Sequence, residues 1–167
     1  MNYILFQLKE NSMYGYYDKY DKDDFKDCSS INFNYLATFL IYDYKPYDIS
    51  FLEEAILKNR SGHYDASALI IEKDDPNIYL CSEYDWDDYL EKHPNSNMSI
   101  QELFLEKKLN HFVMKKTNFM TILHSWNKNL QKKSPYIVLY QKANLKIINL
   151  IDFSSVPQAV NFLITIE

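Results

Sequence analysis

The stretch SALIIEKDDPNIYLCSE, residues 67 to 83, does most to limit what this chain can fold into. Two runs rich in β-branched and aromatic residues flank Asp74, Asp75, Pro76 and Asn77, four turn formers in succession. Runs joined so briefly fold back on each other as an antiparallel hairpin. A second pair, in YIVLYQKANLKIINLI, turns near Lys142 to Asn144. Helical patterns lie between the hairpins. Ser50 and Glu53 have capping-box spacing ahead of Phe51, Leu52, Ala55 and Ile56, which predicts a helix over 50 to 59. Ser99 and Glu102 repeat the signal ahead of Ile100, Leu103 and Phe104, and Phe119, Ile122, Leu123, Trp126 and Leu130 form an amphipathic stripe. One helix or two over 99 to 133 fits this pattern equally well. Val156, Ala159, Val160 and Leu163 mark a closing helix.

Two segments are less directive. NYILFQL, residues 2 to 8, reads as a first strand, and residues 10 to 30 as a mostly exposed connection. NYLATFLIYDY, 34 to 44, fits a buried strand or a helix; its aromatic content favours strand, ended by Lys45-Pro46. The expected class is α+β: a mainly antiparallel sheet built from hairpins, with amphipathic helices packed on it. Its 167 residues, 47% hydrophobic and 25% charged, are expected to form a single globular domain over 1 to 167.

Several function classes fail on residue types alone. Only Gly15 and Gly62 are present, so no phosphate-cradling loop, dinucleotide fingerprint or nucleophile elbow can be written. Cys28 and Cys81 cannot build a disulfide framework or a zinc quartet, which points to a reducing compartment, the cytoplasm. MNYILFQLKE lacks the basic and long apolar regions of a signal peptide, and no apolar run approaches the ~20 residues of a membrane span. An EF-hand loop begun at Asp21 has Asp23 at the third position, but Phe25, Lys26 and Asn32 occupy later positions that need an oxygen ligand, a glycine and a glutamate. Cys81 and His93 have no second Cys or His close by, so no structural zinc spacing appears. The expectation is therefore no catalytic residue, no metal and no cofactor.

Charge is segregated. Residues 72 to 105 carry 9 acids and 2 bases, whereas 106 to 167 carry 3 acids and 9 bases. The acidic part peaks in CSEYDWDDYLEKH, residues 81 to 93, where Glu83, Asp85, Asp87, Asp88 and Glu91 interleave with Tyr84, Trp86 and Tyr89. Such a mixture suits a docking surface: aromatics supply contact area at low entropic cost, and carboxylates steer a cationic partner. Alternatively, Trp86 and some tyrosines fold inward as core while the acids face water. A second patch of similar chemistry comprises Tyr17, Asp18, Tyr20, Asp21, Asp23 and Asp24. The basic part offers Lys107, Lys108, Lys115, Lys116, Lys128, Lys132 and Lys133 as a positive helical surface, or simply as the solvated face of amphipathic helices.

Small size, acidity, 17 lysines to a single arginine, the absence of a catalytic motif and CSEYDWDDYLEKH together make the chain resemble a class of bacterial proteins. These are the small acidic cytoplasmic immunity proteins that partner polymorphic toxins, including those of contact-dependent growth inhibition systems. The resemblance implies a binding protein that occludes the basic groove of a cognate toxin domain, a nuclease, without a cofactor, a membrane or direct nucleic-acid binding. Tyr84, Trp86 and Tyr89 would be the anchors, and Asp85, Asp87, Asp88 and Glu91 the steering charges, with Glu83 beside them. The alternatives are a metal-dependent hydrolase whose carboxylates the fold assembles, and a nucleic-acid-associated protein using the lysine-bearing helices.

Overall fold

A computed structural model describes residues 1–9, 16–20, 29–45, 48–94, 100–105, 109–142 and 147–166. The fold is α+β, with two antiparallel four-stranded sheets among the described residues. The chain divides into two compact units, one formed by Met1–Ser30 with Met120–Glu167, the other by Ile31–Phe119.

In the first unit the sheet order is β2-β1-β7-β8, with β1 Asn2–Lys9, β2 Tyr16–Lys19, β7 Tyr136–Gln141 and β8 Ile148–Phe153. Strand β1 pairs along its length with β7, Leu5 opposite Val138 and Phe6 opposite Ile137. Alternation then sends successive side chains to opposite faces. Leu5, Val138 and Tyr140 share a cluster with Ala159 and Leu163 of α6 (Val156–Ile166). On the other face, the Trp126 ring of α5 (Lys116–Lys132) lies 5.1 Å from the rings of both Phe6 and Tyr17.

The expected exposed connection over 10 to 30 is corrected here, because it contains β2. Tyr17 is 2% exposed and Tyr20 6%, and both belong to the core. The Tyr17 hydroxyl lies 2.6 Å from the Ser134 carbonyl and 3.1 Å from that of Asn129, so its polar end is satisfied inside. Burial, with the charge of Asp152 added, pushes its pKa well above the usual phenol range.

Asp152 on β8 accepts hydrogen bonds from Lys132 Nζ at 2.8 Å and Ser134 Oγ at 3.1 Å. The Lys132 contact does most to lower its pKa below the ordinary carboxylate value. The unfolded chain therefore binds this proton more readily than the folded one. The resulting stability is complete above the ordinary carboxyl pKa of about 3.9, and is lost as pH falls through that value toward the depressed one. Solvent screening at a partly exposed pair keeps it small. Thermal melting of wild type and Asp152→Asn should show a shallower decline below pH 4 in the variant, and parallel curves would contradict the assignment.

In the second unit the order is β3-β4-β5-β6, with β3 Gly62–His63, β4 Ser67–Ile70, β5 Asn77–Ser82 and β6 Phe112–Lys115. The first hairpin forms as its turn residues direct. Asp74 adopts φ 67°, and Asp75 Oδ1 accepts from the Asn77 backbone and side-chain amides at 2.8 and 2.9 Å. Strand β4 is buried throughout. Leu69, Ile78, Leu80, Phe112 and Met114 share one face, where α1 (Ile31–Thr38) lies against β5 and β6. Ala68, Ile70, Tyr79 and Cys81 share the other with residues of α3 (Glu83–Lys92) and α4 (Ile100–Leu105).

Residues 34 to 44 are not a strand. They lie in α1 and a π-helical segment, Phe39–Asp43, closed by the Tyr44 amide donating to the Phe39 carbonyl at 2.8 Å. The aromatics that favour strand in isolation fit this helix because Phe33, Leu36, Ala37 and Leu40 recur at helical spacing and are all buried. Helix α2 spans Ile49–Leu57 and buries Leu52, Ala55 and Ile56. Over 99 to 133, β6 separates α4 from α5, so there are two helices with a strand between them.

Candidate functional site

The acidic stretch folds as α3, directly after β5. Ser82 caps it, its side chain accepting from the Asp85 amide at 3.5 Å, while Glu83 and Asp85 in the first turn complement the positive end of the helix dipole. Lys92 in the last turn meets Asp88 four residues back, Nζ to Oδ2 2.7 Å. The His93 amide closes the end on the Tyr89 carbonyl at 3.0 Å.

Helical spacing decides which side chains this stretch displays. Trp86 and Tyr89, three residues apart, are each only 8% exposed and lie in the cluster with Ala68, Cys81, Leu103 and Phe104. They are core residues, and their expected role as outward anchors is corrected: a helix seated on a sheet must turn its largest apolar groups toward that sheet. Tyr84, in contrast, is 78% exposed. Tyr84, Asp87, Asp88 and Glu91 stand at i, i+3, i+4 and i+7, so they share one stripe; all but the half-buried Asp88 are exposed. Leu90, 44% exposed, lies beside it. Asp85 is half-buried and lines an open groove of about 490 Å³ with Asp88, Tyr89, Lys92, His93, Leu109 and Asn110. The His93 ring stacks on Tyr89 at 4.5 Å between centroids.

Glu83 turns away from the stripe. Its Oε1 lies 2.6 Å from Nδ1 of His63 on β3, and Asp87 Oδ1 lies 3.9 Å from the same nitrogen. The three residues offer donor atoms all within 4.8 Å of one another. Nothing local in the sequence singles out His63; it reaches the helix through the run of hairpins, which pairs Ser67 with Ser82 and His63 with Ala68. Beneath the helix, burial with the charges of Glu83 and Asp85 pushes the Cys81 thiol up to about 12, so it stays protonated and unreactive.

The second patch does not survive as a surface of tyrosines. Tyr17 and Tyr20 are core, and Asp18 Oδ1 accepts from the amide of Lys19 at 2.8 Å. Asp21, Asp23 and Asp24 lie outside the described residues. Of the lysines, Lys107 and Lys108 also lie outside them. Lys116 is tied to Asn59 Oδ1 at 2.7 Å and to the Glu72 carbonyl at 3.2 Å, and Lys132 to Asp152. Lys115, Lys128 and Lys133 are exposed. Among the described residues no helix is long and apolar enough to cross a membrane.

No protein-family model, curated protein or solved structure matches the chain.

Proposed function

We propose that this chain is a cytoplasmic immunity protein that binds and neutralises a cognate toxin domain, a nuclease, by covering its basic surface with the outer stripe of α3. The observation that carries the reading is Tyr84, a large aromatic left 78% exposed on a helix with five acids and a single lysine. An exposed ring amid like charges costs little in the free protein and supplies contact area once a partner covers it. Asp87, Asp88 and Glu91 would raise the association rate with a basic groove, and Leu90 would extend the apolar centre. The interface is therefore narrower than the full acidic stretch, because Trp86 and Tyr89 are spent on the core.

The test is coexpression with the protein encoded by the adjacent upstream gene, scored by cell survival and copurification. Kinetics then locate the surface. The triple substitution Asp87→Asn, Asp88→Asn, Glu91→Gln is expected to slow association by about tenfold at low salt and to flatten its salt dependence. Tyr84→Ala should mainly speed dissociation, costing about 2 kcal/mol of affinity, with its melting temperature unchanged. Survival without the chain, or association rates indifferent to the three charges, would refute toxin neutralisation and this interface respectively.

A further inference from the structure

We propose that His63, Glu83 and Asp87 form a binding site for a divalent cation of the zinc class. The inference goes beyond toxin binding and, although it shares the Asp87 carboxylate with the docking stripe, rests on His63 and Glu83, which that stripe does not use. Glu83 and Asp87 are four residues apart on α3, so their carboxylates rise from one side of the helix, and His63 reaches them from β3. One imidazole nitrogen and two carboxylate oxygens, mutually within 4.8 Å, make a donor set that zinc accepts.

The distances fit after small adjustments. A tetrahedral ion with ligands at about 2.0–2.2 Å holds its donor atoms roughly 3.3–3.6 Å apart. The His63 to Asp87 separation of 3.9 Å has to close slightly, and the His63 to Glu83 separation of 2.6 Å has to open. The His63 and Asp87 side chains are about half or more exposed, which leaves them room for both changes and leaves an entry path for the ion. Two carboxylates balance the charge of the cation, and water completes the coordination. Magnesium and calcium, which prefer six or more oxygen ligands, fit this set poorly.

Two further features point the same way. Glu83 Oε2 is shut off from solvent and meets no hydrogen-bond donor among the described residues, a costly state for a carboxylate that a cation would relieve. The β3–β4 turn that carries His63 is also held in place. The Ala66 amide donates to Asp43 Oδ1 at 2.9 Å, the Ala66 carbonyl accepts from the Glu83 amide at 3.3 Å, and the Tyr64 amide donates to the Ser67 carbonyl at 3.0 Å. The backbone turn beside His63 and the helix start are thereby held together before any ion arrives, which lowers the ordering cost of binding.

The test is calorimetric titration of the full chain, without any partner, using zinc chloride alone and magnesium chloride as the contrast. The expected result is one zinc per chain and no comparable magnesium heat. His63→Ala and Asp87→Ala should each weaken zinc at least about tenfold, since losing mere outer-shell partners already costs a metal site that much. Zinc should also raise the melting temperature of wild type more than that of either variant. Asp87→Ala, at an exposed position, keeps the test decisive if His63→Ala folds poorly. Absence of zinc binding, or binding equally tight in both variants, overturns the site and leaves the three residues as an ion-pair cluster. Because no partner is present, that outcome does not bear on toxin binding.

Discussion

Replacing Trp86 with alanine is expected to lower the free energy of unfolding by about 3–5 kcal/mol, the range for emptying a buried large aromatic site. The indole is 8% exposed, stacks on Tyr89 at 6.4 Å between centroids, and belongs to the cluster that joins α3 to β4 and β5. Nothing small can refill that volume, so the loss combines transfer free energy with a cavity. Urea denaturation followed by circular dichroism measures it. An outward anchor would behave in the opposite way, leaving the unfolding midpoint in place and weakening only the complex. The same pair of measurements on Tyr84→Ala should give that opposite pattern, and the contrast between two aromatics two residues apart separates core from surface within one helix.

Asp75→Ala is expected to cost about 3 kcal/mol. The carboxylate is 4% exposed and accepts from the Asn77 backbone amide, the Asn77 side-chain amide and the Tyr79 hydroxyl, the last at 2.6 Å to Oδ2. Hydrogen bonds to a charged group are worth about 1.5–3 kcal/mol, and removing the acceptor leaves buried donors without a partner. Burial, and then the hydrogen bond to Asp75, hold the Tyr79 pKa far above the usual phenol value, so this hydroxyl remains a donor throughout the working pH range. Asp75→Asn keeps one acceptor oxygen and should lose less. Equal stability of wild type and the alanine variant in urea would show that the turn, not the carboxylate, holds the hairpin.

The elements legible in the sequence are those whose signal is local. The Asp74 to Asn77 turn and the stripes from Phe119 and Val156 each carry their own chemistry, and each appears as the expected hairpin or helix. Helix α2 also forms, but Ser50 lies inside it and Asp48 precedes it without a side-chain cap, so the spacing of Leu52, Ala55 and Ile56 and not a capping box marks that helix. Residues 34 to 44 read as a strand because their aromatic and β-branched content masks the i, i+3, i+4, i+7 spacing of Phe33, Leu36, Ala37 and Leu40, which begins one residue before the run. What places Phe33 against Phe112, 6.0 Å between ring centroids, is a contact across 79 residues of chain. The inward turn of Trp86 and Tyr89 has the same origin: their spacing agrees with burial, but only the sheet beneath α3 selects burial over display. Tyr17 and Tyr20 look like surface residues because aspartates and lysines surround them, yet pairing with β1 carries them inside. His63 gave no signal, since its neighbours Glu83 and Asp87 become neighbours only through the order of the hairpins.

The way the chain is divided also sets an order of assembly. The span Ile31–Phe119 is contiguous, so its four strands can pair while synthesis continues. Strand β1 meets β2 early on one edge, but its other edge waits for β7, which begins at Tyr136, and closing so long a loop carries an entropic cost that near neighbours avoid. Until then the β7-facing edge of β1 stays unpaired and open to mispairing with another copy. Pairing with β7 is what removes that edge.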